Sequence, residues 1–207
     1  MTVNSPIHLS EANEAAKAER LIFNCMSTSR LKDKEIEAIL DLVSIKTYKK
    51  GTLLLSEGEI STKCYFNFKG GVRQYYLKDG EEKTTCFYLE NQSITSNTST
   101  ALKIPAKHYL ECIEDTTLAV MTHEKEEALY RQFPRLESLC RVEMELRLGQ
   151  YQEMLANYMI TTPEERYLNV LKYQPALLSR VPQYQLASYL GVKPESLSRI
   201  RKRILTK

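Results

Sequence analysis

The sequence predicts an α+β protein with an N-terminal antiparallel β-roll, a long connecting helix and a C-terminal helix-turn-helix. Three patterns predict this architecture. Short β-rich runs separated by turn signals occupy residues 48–121, a helical pattern continues from residue 136 to 160, and residues 180–207 contain two helical stretches joined by a glycine corner. We therefore expect a β-rich domain with N-terminal helices at 1–134, a long dimerisation helix at 135–160 and a helix-turn-helix domain at 161–207.

Two helical segments precede the β-rich region. Residues 11–26 are rich in Ala and Glu, and the segment from Leu31 to Val43 places apolar residues at helical spacing. The Asp79-Gly80 pair predicts a hairpin, because both residues tolerate positive φ. The spacing of the β-rich runs favours a sandwich or an open barrel. The predicted strands are 48–55, 63–68, 72–77, 83–89, 109–113 and 117–121.

The helical pattern at 136–160 contains no proline and one glycine, and it carries two apolar stripes. The stripe of Leu139, Val142 and Leu146 is expected to cover the β-rich domain. The other stripe follows heptad spacing and is expected to pair with its copy in a second subunit, although both stripes could instead be buried within one chain. Thr161-Thr162-Pro163 then ends the pattern and starts a new helix, which indicates a hinge. The predicted dimer contacts are Met144, Leu148, Tyr151, Leu155 and Tyr158.

The C-terminal segment follows a helix-turn-helix pattern. Apolar residues at helical spacing end at Gly191, which can adopt the left-handed conformation, and Pro194 suits the first turn of a second helix. The small Ala187 allows the two helices to approach closely. The second helix has one apolar stripe, formed by Leu197, Ile200 and Ile204.

Positive charge is concentrated in this segment. Residues 180–207 contain seven basic residues and one acidic residue, Glu195, and so carry +6, whereas the whole chain carries +3. A polyanion would bind where this charge lies, so DNA is the predicted partner. The alternative is an ordinary helical hairpin with a solvated charged face, on which Glu195 and Arg199 form a weak surface pair.

The order of these elements closely resembles the Crp/Fnr family of bacterial transcription regulators, from about Leu31 onward. In the β-rich region the resemblance rests on KKGTLLLSEGE and CYFNFKGGVRQYY, and in the C-terminal region on the more specific QLASYLGVKPESLSRIRKRI. The resemblance implies a cyclic-nucleotide-binding-like domain and a homodimer that reads a pseudo-palindromic operator, with a recognition helix in each major groove. It also implies RNA polymerase as a partner if transcription is activated. Few residues follow Arg203, so we expect the family's C-terminal β-wing to be missing.

The family's base-reading positions correspond to Pro194, Glu195 and Arg199. The glutamate and the arginine match the family pattern, and they suit a cytosine amino group and a guanine edge. Pro194 replaces a polar residue and cannot read a base, so the family's consensus operator is not expected unchanged. The other predicted DNA contacts are Gln183, Lys193, Ser196, Ser198 and Lys202.

The stretch that would hold a cyclic nucleotide departs from the family. Relatives that bind these nucleotides carry a Gly-Glu pair for the ribose and an Arg-Ser or Arg-Thr pair for the phosphate, whereas residues 90–109 contain neither glycine nor arginine. We therefore expect no useful cyclic AMP binding, and either an unknown, less charged small-molecule effector or none. A pocket for such an effector would use Thr95, Ser96, Asn97 and Thr98, whose alternative interpretation is an ordinary hydroxyl-rich loop.

Several classes of protein are disfavoured. No apolar run is long enough to cross a membrane and no secretion signal precedes the helices, so a cytoplasmic protein without a membrane partner is expected. The five cysteines form no C-x-x-C pair and are expected to be reduced, and His8, His108 and His123 lack metal-site spacing, so no metal or other cofactor is predicted. No motif of an enzyme is present. The alternative function is a ligand-binding or scaffold protein whose C-terminal domain no longer reads DNA.

Overall fold

The structure is a computed structural model that describes residues 31–205. The helix predicted at 11–26 and the thiol of Cys25 lie outside these residues. The first described helix is α1 (Asp33–Leu42). The strands that follow are β1 (Ser44–Tyr48), β2 (Leu53–Leu55), β3 (Lys63–Lys69), β4 (Val72–Lys78), β5 (Glu81–Tyr88), β6 (Ser93–Ile94), β7 (Tyr109–Cys112) and β8 (Thr116–Thr122).

Seven further helices complete the described chain. A short helix, α2 (Asn97–Leu102), lies between β6 and β7, and the others follow β8. They are α3 (His123–Gln132), α4 (Pro134–Ile160), α5 (Pro163–Tyr173), α6 (Pro175–Arg180), α7 (Gln183–Tyr189) and α8 (Pro194–Leu205). In the part of the chain that the structure covers, no helix is both long enough and apolar enough to span a membrane.

The strands form two four-stranded antiparallel sheets, ordered β1-β8-β3-β6 and β2-β7-β4-β5. Alternate side chains point into the roll, as expected for strands with one solvated face, and they bury Val72, Ile94, Leu110 and Leu118 almost completely. The predicted α+β fold class, with a β-roll followed by helices, is confirmed. The strand predicted at 48–55 is wrong, because the chain turns at Gly51, where φ is 82°, and so divides it into β1 and β2.

The long helix α4 packs at its start on helices α1 and α3 and contacts the β-roll further along, with a face different from the predicted one. Of the predicted stripe, Leu139 is partly buried against the cluster of Leu129 and Leu136. Val142 and Leu146 are 42% and 50% exposed, so most of the stripe does not cover the β-rich domain. The covered face runs through Leu136, Cys140 and Arg147, and Arg147 donates a hydrogen bond to the Ser93 carbonyl oxygen at 3.1 Å. A charged residue on the inner face explains why hydrophobic spacing alone gave the wrong helix phase.

The C-terminal helices share a hydrophobic core that also includes Phe87 of the β-roll. The Phe87 ring meets the Tyr189 ring edge-on, with 5.3 Å between the centroids. The hydroxyl oxygen of Ser188 accepts a hydrogen bond from the Thr84 backbone N–H and donates one to the Glu82 carbonyl oxygen, both at 2.9 Å. The helix-turn-helix is therefore packed directly on strand β5.

Candidate nucleic-acid interface and ligand cavity

The two helices of the helix-turn-helix are α7 and α8. Ala187 and Leu197 are fully buried between them, and Gly191 forms the corner with φ of 70°. The Val192 N–H donates to the Ala187 carbonyl oxygen at 3.0 Å, which closes α7 before the chain turns. Gly191 therefore forms the corner, and the small Ala187 allows the two helices to approach closely, as the sequence predicts.

The outer face of α8 is open to solvent. Glu195, Arg199 and Lys202 are exposed, in agreement with the predicted orientation of the helix. Neither Glu195 nor Arg199 forms an ion pair with another described residue, so the surface pair of the alternative interpretation is not formed. The other predicted DNA contacts Gln183, Lys193 and Ser198 are exposed, and Ser196 is partly exposed.

Not every basic residue of the C-terminal segment contributes to this face. Arg180 donates hydrogen bonds to both carboxylate oxygens of Glu90, at 2.7 and 2.8 Å, and to Glu114. The Arg180 guanidinium holds the pKa of Glu90 below its usual value, and these carboxylates raise the pKa of Arg180 itself. The sequence-based count of +6 therefore overstates the charge offered to a polyanion, because Arg180 is neutralised by the β-roll.

The beginning of α8 faces a cleft of about 1170 Å³ between the helix-turn-helix, α4 and strand β5. Lys193 and Glu195 line this cleft, with Glu81 on the opposite side. Lys83 and, to a lesser extent, Lys193 hold the pKa of Glu81 below its usual value. Two of the predicted DNA contacts thus lie beside the hairpin between β4 and β5.

A second cavity, of about 450 Å³, lies between strands β4 and β5, helix α2 and helix α4. The predicted effector residues Thr95, Ser96, Asn97 and Thr98 all line it. Sequence reasoning missed the rest of its wall, because those residues come from distant parts of the chain. They include Gln74, Tyr76, Tyr88, His108, Tyr151 and Met154.

The chemistry of this cavity is polar but weakly charged. Among the described residues that line it, Lys107 is the one with a formal charge at neutral pH, because burial lowers the pKa of His108. The hydroxyl of Ser96 and the Nε2 atom of His108 are buried without a hydrogen-bond partner in the described structure. Such atoms could bind polar groups of a ligand. The His108 ring packs against Tyr76, with 5.5 Å between the centroids.

The predicted dimer contacts lie on α4 and are largely solvent-exposed in the single chain. Met144, Leu148 and Leu155 are 45%, 59% and 58% exposed. The two tyrosines also make contacts within the chain: Tyr151 lines the smaller cavity, and the Tyr158 ring lies under the Arg166 guanidinium at 4.4 Å. Arg166 in turn donates to the Leu190 carbonyl oxygen at 3.1 Å, which connects the end of α4 to the helix-turn-helix.

By sequence, no family model matches the chain, and no curated protein matches it either. Solved structures do match it over most of its length. The c-di-GMP responsive global regulator CLP from Xanthomonas campestris is 18% identical with a TM-score of 0.67, and the match covers 84% of this chain and 92% of CLP. The catabolite activator protein of Thermus thermophilus is 19% identical with a TM-score of 0.55, over 88% and 87% of the two chains.

A third similar structure is a protein from Eubacterium rectale assigned to the Crp/Fnr family of transcriptional regulators. It is 18% identical with a TM-score of 0.65, and the match covers 85% of this chain and 84% of that one. The three matches span both the β-roll and the C-terminal helices. They show that the chain has the fold of these regulators, as its motifs predict.

Proposed function

We propose that this protein is a DNA-binding transcription regulator of the Crp/Fnr type that acts as a homodimer on a pseudo-palindromic operator. The observation that carries the proposal is the outer face of α8: its inner stripe is buried in a formed helix-turn-helix, while Glu195, Arg199 and Lys202 are exposed. A helix presented in this way fits the major groove, and a dimer would present two copies to two half-sites. In this proposal, residues 135–160 form the dimerisation segment between the effector domain and the DNA-binding domain.

The side chains on α8 have different roles in this proposal. Arg199 makes paired hydrogen bonds to a guanine edge, and Glu195 accepts a hydrogen bond from a cytosine amino group. Lys193, Lys202 and the nearby hydroxyl groups contact phosphates, which position the helix without selecting a sequence. Pro194 provides no base contact, so the operator differs from the family's consensus at one or more positions.

The experiment that tests this function is selection of binding sites from a randomised DNA pool, followed by measurements on two variants. Arg199→Ala should cost about 1–3 kcal/mol on the selected site and relax the preference at one base pair, because a bidentate base contact is lost. Lys202→Ala should weaken binding to all sequences alike and reduce the salt dependence. Lys46→Ala, at an exposed position on strand β1, is the control. It should change neither the affinity for the selected site nor the salt dependence of binding.

The alternative function is a ligand-binding or scaffold protein that no longer reads DNA. A pool that yields no enriched sequence would support that alternative. Equal losses on selected and random DNA for Arg199→Ala would remove the assignment of this arginine to base reading, even if the protein binds DNA.

A further inference from the structure

Three side chains with metal-binding atoms converge where strand β8 continues into helix α3. Cys64 lies on β3, and His123 and Glu126 lie in the first two turns of α3. Cys64 is paired with Met121 in the sheet, which brings its thiol next to the start of α3. One donor atom from each of the three side chains lies within 4.8 Å of the other two. Their separation in the sequence explains why motif spacing did not predict a metal site.

Other side chains already orient two of these three donors. The His123 Nδ1 atom lies 2.9 Å from a Glu126 carboxylate oxygen, and Nε2 lies 2.9 Å from the Thr100 hydroxyl. The other carboxylate oxygen of Glu126 accepts a hydrogen bond from the Tyr130 hydroxyl at 2.9 Å. Partners of this kind fix the ring and the carboxylate of metal ligands in the required orientation. With Nδ1 as the ligand, Nε2 carries the proton and donates a hydrogen bond to the Thr100 hydroxyl oxygen.

The donors are shielded from solvent but still accessible. The His123 and Glu126 side chains are 16% and 29% exposed, and Cys64 is partly buried. None of the three residues belongs to the proposed DNA-contacting face.

We propose that Cys64, His123 and Glu126 bind a divalent transition metal ion of the zinc class. One thiolate, one imidazole and one carboxylate form a borderline-soft donor set that suits Zn²⁺, whereas Mg²⁺ and Ca²⁺ prefer oxygen ligands alone. Three protein ligands leave a fourth position for water or an exogenous ligand. Tetrahedral ligands about 2.0 Å from a zinc ion lie roughly 3.3 Å apart, so the His123–Glu126 pair needs to separate by only a few tenths of an ångström.

The site is connected to the smaller cavity through Thr100. This residue lies on α2, and the residues at the start of α2 line that cavity. Metal binding fixes the His123 ring and therefore its hydrogen bond to α2. The site thus combines residues of β3 and α3 with an anchor on the helix that borders the cavity.

The experiment uses the full chain without an affinity tag and Co²⁺ as the spectroscopic probe. Thiolate-bound Co²⁺ gives a ligand-to-metal charge-transfer band, and Zn²⁺ should displace the ion and abolish that band. Cys64→Ser should remove the band and weaken binding by about tenfold or more. Cys86→Ser alters another half-buried thiol, on strand β5 outside the cluster, and should leave both the band and the affinity unchanged.

Glu126→Gln gives a second measurement if Cys64→Ser does not fold, since it keeps the side-chain shape and removes one ligand charge. It should weaken Co²⁺ binding while the thiolate band remains at saturating metal. Either of two results would overturn the proposal: the absence of saturable Co²⁺ binding by the wild-type chain, or a thiolate band of full intensity in a folded Cys64→Ser variant, which would place the ion at another cysteine.

Discussion

At the scale of single residues, Gly70 shows how tightly the β-roll is built. This glycine forms the turn between β3 and β4 with φ of 93°, and a Cβ atom there would lie 2.7 Å from the Asp115 carbonyl oxygen. Gly80 forms the next turn with φ of 77°, and a Cβ atom there would meet nothing within 4 Å. Both positions therefore require left-handed backbone, but only Gly70 also lacks space.

Replacing each of these two glycines by alanine separates backbone strain from steric overlap. Gly80→Ala should lower the free energy of unfolding by about 1–2 kcal/mol, the cost of left-handed backbone for an L-residue. Gly70→Ala should cost about 3 kcal/mol or more, because the overlap with the β-roll backbone adds to the same strain. Urea unfolding of both variants measures the two values. Equal losses would show that the loop around Asp115 moves freely to accommodate the methyl group.

The residues that the sequence predicted correctly act through their immediate neighbours in the chain. Thr162 caps α5 by accepting a hydrogen bond from the Glu165 N–H, and Gly191 makes a corner that only a few local conformations allow. The roles of Arg180 and Cys64 depend on groups far away in the sequence. Local spacing contains no information about those partners, so the ion pairs of Arg180 and the metal-binding cluster become visible only in the folded chain.

At the scale of elements, helix α4 leaves an apolar stripe uncovered by its own chain. Leu148 and Leu155 are more than half exposed, and Met159 and Ile160 at the end of the helix are 76% and 78% exposed. A helix with so much exposed apolar surface is expected to pair with another helix. In the homodimer that we propose, this partner is the same helix of a second subunit, as the heptad spacing predicts.

Charged substitutions in this stripe test whether it holds a homodimer. Leu148→Glu together with Leu155→Glu would bury unpaired carboxylates at the interface, so it should separate the subunits and abolish tight DNA binding. Gln150→Glu with Asn157→Glu adds the same charges at the same spacing on residues that line the open cleft, and it should leave the dimer intact. Sedimentation measures the oligomeric state of both double variants and of the wild type. A wild-type monomer at micromolar concentration would contradict the proposed interface.

The cavity beside helix α2 is the predicted effector site, and its lining predicts which ligands it can bind. A cyclic nucleotide would bring a charged phosphate to a wall of hydroxyls and two amides, with Lys107 as its one formally charged described residue. Loss of a charge-assisted bidentate contact costs about 2–5 kcal/mol, or roughly thirty- to several-thousand-fold in affinity. Calorimetric titration should therefore detect no useful binding of cyclic AMP or cyclic GMP. A micromolar or lower dissociation constant for either nucleotide would contradict this prediction, and loss of that binding in Lys107→Ala would assign the phosphate contact to this lysine.

The sequence predicted whether each major element is a strand or a helix more reliably than it predicted which other elements that element packs against. Glycine, proline and alternating side chains determine where a strand or helix begins and ends, so β4 and β5 lie close to their predicted ranges, and α5 and α8 begin at the predicted prolines. The short elements β6 and α2 were not predicted, because neither is long enough to show a hydrophobic period. The inner face of α4 was wrong because its packing includes Arg147, which hydrophobic spacing excludes from a core.

At the scale of the whole molecule, Arg180 joins the C-terminal helices to the β-roll. It lies at the end of α6 and binds Glu90, after β5, and Glu114, between β7 and β8. The same Glu90 carboxylate accepts a hydrogen bond from the Gly70 N–H at 3.0 Å. Together with the contact between Phe87 and Tyr189, this bridge keeps the start of α8 beside the hairpin between β4 and β5. We therefore expect the strength of the bridge to influence how readily α8 reaches DNA.

The Arg180 bridge should make stability depend on pH through Glu90. Since the pKa of this carboxyl is lowered from 4.5 in the folded protein, its contribution is present above the unfolded value and is lost as the pH falls through the lower, folded value. Glu90→Gln, which keeps the side-chain shape, should lower the free energy of unfolding by about 1 kcal/mol near neutral pH, because the pair is partly solvated.

Urea unfolding of wild type and variant between about pH 7 and about pH 3 checks this prediction, because the difference between them should stay constant above the unfolded pKa and shrink below it as the wild-type carboxylate becomes protonated. Glu57→Gln, at an exposed position in the turn after β2, is the matched control and should give no such pH-dependent difference. A difference for Glu90→Gln that stays constant over the whole pH range would mean that the charge on Glu90 does not stabilise the docked helices. The packing of Phe87 and Tyr189 would then have to hold the helix-turn-helix against the β-roll without help from the ion pair.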